Sequence, residues 1–402
     1  MLSHPSILRK FGKMKKLLII AIFALLFFLP NLVLAQEQAL IPSERTTGPG
    51  IQTNEYYRAK VLEVTEKGSR NIGGAMQPYQ KLLIRIESGT EKGKTLRIDQ
   101  GLLFSVRDSQ LVKSGDDVIL TKTVTPDNKP IYVITDKYRV PPVIIITIIF
   151  ILLVVFFAGA QGITSLLSMV LSIVVLMRYI IPEILAGKDP ITVTLIGSFG
   201  IALISLYLAH GFNKRISIAV VSTLISLSIS VALAQIFVSF AHLTGSSSEE
   251  AYLLQTGTAM LNLKGLLLSG IIIGALGVLD DITTGQAAAI DEIHKTDPNL
   301  TFKELYTKGI SIGKEHISSL VNTLVLAYAG ASLPVFLLFV LLKDQQPLWI
   351  TLNSEFVMEE FIRTLVGSTT LVIAVPITTG IAAYIYGKKK VKRGVKNYST
   401  TN

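Results

Sequence analysis

The chain has 402 residues, of which half are hydrophobic and 16% are charged. With a mean hydropathy of +0.53, this composition excludes a soluble protein with one large core and points to an integral membrane protein. The net charge of +10 does not imply nucleic acid, because much of the excess lies at the two ends, in 9–16 and 388–396, where membrane proteins keep cytoplasmic charge.

There is no cysteine. Disulfides, thiolate metal sites and a lipoprotein anchor are therefore excluded, and any extracytoplasmic domain must hold together by packing alone.

Residues 1–35 have the three parts of a secretory signal peptide. Lys10, Lys13, Lys15 and Lys16 make a basic start, 17–29 an apolar core, and Pro30 and Asn31 break the helix before Val33-Leu34-Ala35, a cleavage pattern ahead of Gln36. Met14 followed by Lys15-Lys16 would itself make a normal signal start. An uncleaved anchor helix is the alternative reading.

Residues 36–139 read as an extracytoplasmic β-rich domain. After a linker over 41–50 come β-branched runs at 58–65, 79–87, 94–98, 118–125 and 131–135. In the second, Leu82, Ile84 and Ile86 alternate with Leu83, Arg85 and Glu87, the pattern of a half-buried strand. Lys67-Gly68, Gly89, Ser114-Gly115-Asp116-Asp117 and Pro126-Asp127-Asn128 mark turns. Five strands in about 90 residues predict a small β-barrel or β-sandwich. The turn from Gly115 into Val118-Ile119 resembles small OB-like barrels, and no ligand follows from it. Asp116 and Asp117 read as solvated turn residues.

Residues 140–390 read as a transmembrane domain, a polytopic α-helical bundle of seven spans, with a cytoplasmic basic tail over 391–402. The length rule of about 20 apolar residues places the spans at about 143–160, 162–181, 190–209, 216–238, 263–290, 317–342 and 361–386. Basic loops set the orientation. With the β domain outside, 210–215, Lys295, Lys303, Lys308, Lys314 and the C-terminal tail fall inside. The loop 244–262 with Glu249 and Glu250, and Asp344, Glu355, Glu359 and Glu360, fall outside. Residues 301–316 carry Phe302, Leu305, Tyr306, Ile310 and Ile312 among lysines, which suits either an interfacial amphipathic helix or a plain connecting one.

The chain is organised around 263–294. An uncharged apolar half is followed by Asp280 and Asp281 and then by a run that still looks helical. If it is one helix, Gly270, Gly274, Gly277, Asp281, Thr284 and Ala288 share a face. Small residues on one face admit close helix packing, so Asp281 is expected to point into the bundle. The alternative ends the span at Leu279, with the aspartates opening a cytoplasmic loop. In the first reading Asp280 and Asp281 lie about 13 Å from the inner membrane surface, Asn322 and Thr323 a little less deep, and Thr378 and Thr379, just after Pro376, at about 12 Å.

Two carboxylates, an amide and several hydroxyls at one depth suit proton uptake and release near neutrality, or a hard divalent cation. The structural alternative is helix fastening by Ser, Thr and Asn, which covers Ser318, Ser319, Ser368, Thr369 and Thr370 better than the aspartates. Asp291, Glu292 and His294 read as a solvated helix end, His316 as an interfacial cap, and His210 and His242 as isolated. No nucleophile–base pair, phosphate loop or HExxH pattern occurs, so neither enzyme activity nor a cofactor is expected. The expected partners are the lipid bilayer and a small ion, proton or divalent cation; a homo- or hetero-oligomer is left open.

The runs GVLDDITTGQAAAIDEI (277–293), HISSLVNTLVLAYAGASLP (316–334) and EEFIRTLVGSTTLVIAVPITT (359–379), with Tyr138-Arg139-Val140-Pro141-Pro142 before them, resemble the YibE/F-like family of bacterial multi-pass membrane proteins. The resemblance implies the bacterial plasma membrane and names no substrate. The last three spans also resemble those of SecD/SecF and RND-type permeases, in which a mid-membrane Asp takes part in proton coupling. That resemblance puts the role on Asp280 or Asp281 and implies an ion-coupled transporter. This chain departs from those permeases in its extra earlier spans and much smaller outer domain. A non-transporting scaffold or sensor whose β domain binds a partner is the second reading, and an intramembrane enzyme acting on a lipid-linked substrate a third.

Overall fold

The computed structural model describes residues 55–388, apart from 73–74, 102–104, 125–129, 248–250, 252, 255–260 and 343–345. The expected signal, the linker, the Pro126-Asp127-Asn128 turn, Glu249, Glu250, Asp344 and the basic tail lie outside the described residues. The chain divides into two compact units between Leu153 and Val154.

In the first unit, β1 (Glu55–Ile72), β2 (Ala75–Ile86), β3 (Thr95–Gln100), β4 (Asp117–Val124) and β5 (Pro130–Lys137) form one antiparallel sheet in the order β3-β2-β1-β4-β5. The long β1 pairs with β2 through most of its 18 residues and with β4 over 55–60. Register shifts between Val61 and Glu63 and between Val64 and Glu66 bend it, as an extra residue on one strand does. The expected alternation in β2 is present: Leu82, Ile84 and Ile86 are no more than 1% exposed and share the core with Tyr57, Val61, Ile98, Val118 and Leu120. Gln80 is buried with them, and its amide exchanges two hydrogen bonds with the backbone of Val112, at 3.0 and 2.9 Å.

The sheet is neither the closed barrel nor the two-sheet sandwich expected. Among the described residues β3 and β5 are the outer strands of the sheet, with no ladder between them; an alternating pattern specifies a buried face and carries no information on whether two edges meet. Lys67-Gly68 is likewise not a turn. Both lie inside β1, opposite Gln80 and Tyr79, and a Cβ on Gly68 would come within 2.8 Å of the Tyr79 ring. The glycine makes room for an aromatic side chain across the ladder.

The helices begin with α1 (Val140–Val175), followed by a π-helical turn and α2 (Ile181–Leu185). Gly159, at φ 57° and ψ −135°, interrupts α1. A Cβ on Gly162 would lie 2.6 Å from the carbonyl oxygen of Val154, whereas eight residues of straight helix span about 12 Å, so the chain turns sharply here. Then come α3 (Pro190–His210), α4 (Lys214–Phe240) and α5 (Leu263–Thr296). Their N-termini are capped by Asp189, Asn213 and Asn262, each side chain accepting a backbone N–H at 2.9 Å. α6 (Phe302–Ala331) opens on a Thr301–Glu304 capping box, and α7 (Leu333–Leu342), α8 (Leu348–Leu352) and α9 (Glu355–Tyr386) complete the chain.

Five helical segments among the described residues are long and apolar enough to cross a membrane: Val140–Leu185, α3, α4, α5 and α9. The expected spans 143–160 and 162–181 fall together in the first. The expected 317–342 falls on the end of α6 and on α7, which part at Ser332. The amphipathic stretch 301–316 is the first half of α6, because lysines interrupt hydropathy without interrupting a capped helix.

α5 lies at the centre of the second unit, against α3, α4, α6 and α9. Its packed face is the large-residue one: Ile272, Leu279, Ala287 and Ile290 are completely buried, and Ile271 and Ile282 nearly so. The small-residue face is the other side. Gly270, Gly277 and Asp281 are exposed and Gly274, Thr284 and Ala288 half-buried, so the expectation that this face turns into the bundle is corrected. Branched side chains of α5 fill the space between its four neighbours, and the glycine side is left outward.

One polar cluster ties the sheet together. Glu91 accepts hydrogen bonds from Lys122 (2.8 Å), Lys94 (2.9 Å) and the Tyr132 hydroxyl (2.7 Å). These donors, Lys122 foremost, hold its carboxyl from 4.5 down to about 2, and Lys122 is raised in return. The folded value lies below the unfolded one, so this stabilisation is complete above about pH 4.5 and is lost as pH falls towards about 2. Protection of β4 and β5 amides from hydrogen exchange, corrected for intrinsic rate, is expected to fall across that window. Glu91→Gln is expected to flatten the fall while lowering protection at neutral pH; an unchanged acid slope in the variant would disprove the assignment.

Candidate functional site

Asp280 lies near the middle of the 34-residue α5, about 25 Å from either end. Its side chain sits beside the packed face, where α3 passes. One carboxylate oxygen accepts a hydrogen bond from the Ser205 hydroxyl of α3 at 2.7 Å. The other is buried and has no hydrogen-bond partner. Asp281 is exposed on the small-residue face. His210, the last residue of α3, is within electrostatic reach of both carboxylates, and its Nδ1 is also buried without a partner. The Thr284 hydroxyl is spent on the helix itself, donating to the carbonyls of Asp280 (2.8 Å) and Asp281 (3.1 Å).

The other expected members lie elsewhere. Asn322 and Thr323 are exposed on α6, with the Thr323 hydroxyl on the carbonyl of Ser319 at 3.0 Å. Thr378 and Thr379 are completely buried on α9 and donate to the carbonyls of Ala374 (2.8 Å) and Val375 (2.7 Å). Among the described residues no hydrogen bond joins either aspartate to these four, while Leu320, Val321 and Leu324, which flank Asn322 and Thr323, pack against the same core as Leu279 and Ile282.

Thr379 has a further partner in Gln286. It is completely buried, and its amide nitrogen donates to the Gly309 carbonyl on α6 (2.7 Å) and the Thr379 hydroxyl on α9 (2.8 Å). A Cβ on Gly309 would come within 2.8 Å of Thr379, and one on Gly313 would strike Val375, so both glycines let α6 lie close against α9. Sequence reasoning passed over Gln286 and Ser205 and read His210 as isolated. The readable signal for the first was one amide inside an otherwise small, apolar run; Ser205 and His210 had none.

A carboxylate with one oxygen bonded, one open, a second carboxylate adjacent and an imidazole in reach can accept a proton and release it again. Among the described residues no three His, Asp or Glu side chains converge as ligands for a metal ion. A cation bound at this place would draw most of its ligands from hydroxyls and carbonyls.

The family model described as YibE/F-like protein matches residues 146–388, more than half of the chain. The chain belongs to the YibE/F-like family. The match begins inside α1, so the β unit and the Tyr138–Pro142 run, which the sequence resemblance included, lie outside it in this YibE/F-like chain. No curated protein and no solved structure matches it. Family membership and the apolar helices fit an integral membrane protein.

Gln286→Leu is expected to free the Gly309 carbonyl and loosen α6 from α5 and α9, at a cost of about 1–2 kcal/mol. Thermal unfolding in detergent would read this as a lower midpoint. An unchanged midpoint would mean that the amide contributes nothing to holding α6.

Proposed function

We propose that this YibE/F-like protein is an ion-coupled transporter, or the coupling component of one, with Asp280 as the proton-carrying group and Asp281 and His210 as its exchange partners. One observation carries the reading: in mid-helix, Asp280 has one oxygen held by Ser205 and the other buried and open. An open buried acceptor costs about 1–3 kcal/mol, and protonation of that oxygen would relieve part of this cost. Exposed Asp281 next to it supplies a route by which a proton reaches Asp280. The proton suits the site better than a divalent cation, given the small number of converging carboxylates.

The reading assumes seven spans with the β unit outside and the C-terminus inside. The break at Gly159, which divides 46 helical residues, supports two spans in that segment, and α7 following α6 supports a sixth before α9. An oligomer is consistent with the open glycine face of α5. The scaffold reading has its own support in the Ser205–Asp280 bond, which joins α3 to α5 as a structural fastener would.

The two readings part in proteoliposomes. Proton and divalent-cation flux is measured for the wild type, Asp280→Asn and Asp281→Asn; the amide keeps an acceptor for Ser205 and loses the titratable charge. Asp280→Asn is expected to lower proton flux by about a hundredfold with unchanged folding, and Asp281→Asn by less. Equal flux in the wild type and both variants, or none from folded wild type, would leave the scaffold reading.

A further inference from the structure

We infer that the seam of α3 and α4 against α5, on the far side of Asp280 from His210, is a closed water path to Asp280. This rests on the reading of Asp280 as the proton-carrying group: such a group has to be reached from both sides of the membrane, and His210 lies towards one of them. Four hydroxyls mark the other. Thr194 and Ser198 of α3 and Ser226 and Ser230 of α4 are completely buried, and none of their oxygens has a hydrogen-bond partner. A buried helical hydroxyl commonly donates to the carbonyl four residues back, as Ser222, Thr370 and Thr378 do at 2.8, 2.7 and 2.8 Å. These four do not. Each keeps a donor and an acceptor open inside the bundle, at a cost that water relieves.

The four lie on faces that turn to α5. Thr194 and Ser198 fall within about 20° of Ser205 around α3, and Ser205 reaches Asp280. Thr223, Ser226 and Ser230 share a face of α4, and Thr223 is hydrogen-bonded to Thr283 of α5. α3 runs parallel to α5, since Pro190 meets Ser269 and Ser205 meets Asp280. Ser198 is therefore about 10 Å and Thr194 about 16 Å from the level of Asp280, towards the start of both helices. α4 runs the other way, with Ala234 buried beside Leu267 and Ala219 beside Ala287. Counted from Thr223 opposite Thr283, Ser226 is level with Asp280, and Ser230 is about 6 Å beyond it on the Ser198 side. Successive hydroxyls are thus about 6 Å apart along the axis, a gap that one or two waters bridge.

In this conformation the path is shut. Leu227, Ile272 and Leu276 are buried in one cluster with Ala202, and the four hydroxyl oxygens are sealed from solvent. The seam is nonetheless lightly tied. Hydrogen bonds join α3 to α5 at Pro190 and Ser205 and to α4 at Tyr207, and among the described residues none joins them between Pro190 and Ser205. Apolar contact alone holds that stretch, so it can part and admit water. Neutral hydroxyls that both donate and accept suit water, whereas a hard cation calls for carboxylates. A proton entering the file at Thr194 passes from water to water, and the last water gives it to the open oxygen of Asp280.

The chain has no cysteine, so Ser198→Cys and Ser230→Cys each place a single thiol on the path. The full-length variants are reconstituted in proteoliposomes and exposed to silver ion, which is small enough to follow water. Capture of silver by the thiol is read as lost maleimide labelling after denaturation. Glu63→Cys, exposed on β1, is the accessible reference, and Ala382→Cys, completely buried away from the seam, is the inaccessible one. Capture at 198 and 230 is expected to be at least about tenfold faster than at 382, because a thiol ionises and binds metal where water reaches it. Ser226→Cys takes the place of either variant that does not fold. Capture at the seam no faster than at 382 would overturn the path. Silver capture is read without flux, so the two readings fail separately. Fast capture beside proton flux that Asp280→Asn leaves unchanged would uphold the path and remove the proton role of Asp280; slow capture beside Asp280-dependent flux would do the reverse.

Discussion

A helix that crosses lipid satisfies its own backbone, and a buried polar side chain on it gains by finding a partner on a neighbour; α5 carries Ser269, Asp280, Thr283 and Gln286 on or beside its packed face. Each finds one on a different part of the bundle. Ser269 donates to the Pro190 carbonyl at the start of α3 (3.0 Å), and Ser205 of α3 donates to Asp280 (2.7 Å). Thr283 shares a 2.7 Å hydrogen bond with Thr223 of α4, and Gln286 reaches both α6 and α9. Lipid tails are as apolar as leucine, so burial of apolar surface gives little preference for one rotation of a helix over another. These bonds and the close approaches at Gly309 and Gly313 supply that preference. The four neighbours of α5 take their orientation from it.

The same arrangement separates the two aspartates. They are adjacent in sequence, but a helix turns about 100° per residue, so only one of them can lie beside the seam with α3. Asp280 takes that place, half-held by Ser205, and Asp281 faces outward among glycines. Their surroundings therefore differ: one carboxylate is half-held by Ser205 and the other is exposed.

The β unit solves a different problem. It is small and has no disulfide, so it depends on a continuous strip of buried residues across four of its strands and on polar ties at its margins. The Gln80–Val112 exchange fastens the long connection between β3 and β4. Glu91, with Lys94, Lys122 and Tyr132, fastens the β2–β3 turn to β4 and β5. Among the described residues these ties leave β3 and β5 unpaired with each other.

Hydropathy and residue type determined much of this by themselves. They determined the membrane class, all five strands of the β unit, the inward set Leu82, Ile84 and Ile86, and the family, and they offered the continuity of α5 through Asp280 and Asp281 beside a loop reading. Each of these depends on local pattern, because strand alternation and helix continuity are properties of neighbours in sequence. Tertiary structure decided the rest. Which face of α5 turns inward, why Asn322 and Thr323 are exposed, and why Ser205, His210 and Gln286 count at all depend on how one helix is rotated against another. Residue spacing gives depth along an axis and relative angle around it, but not the direction in which the neighbouring helix lies. The unpaired β3 and β5 follow the same rule: whether strands far apart in sequence meet depends on the course of the strands between them, and no pattern within either strand records it.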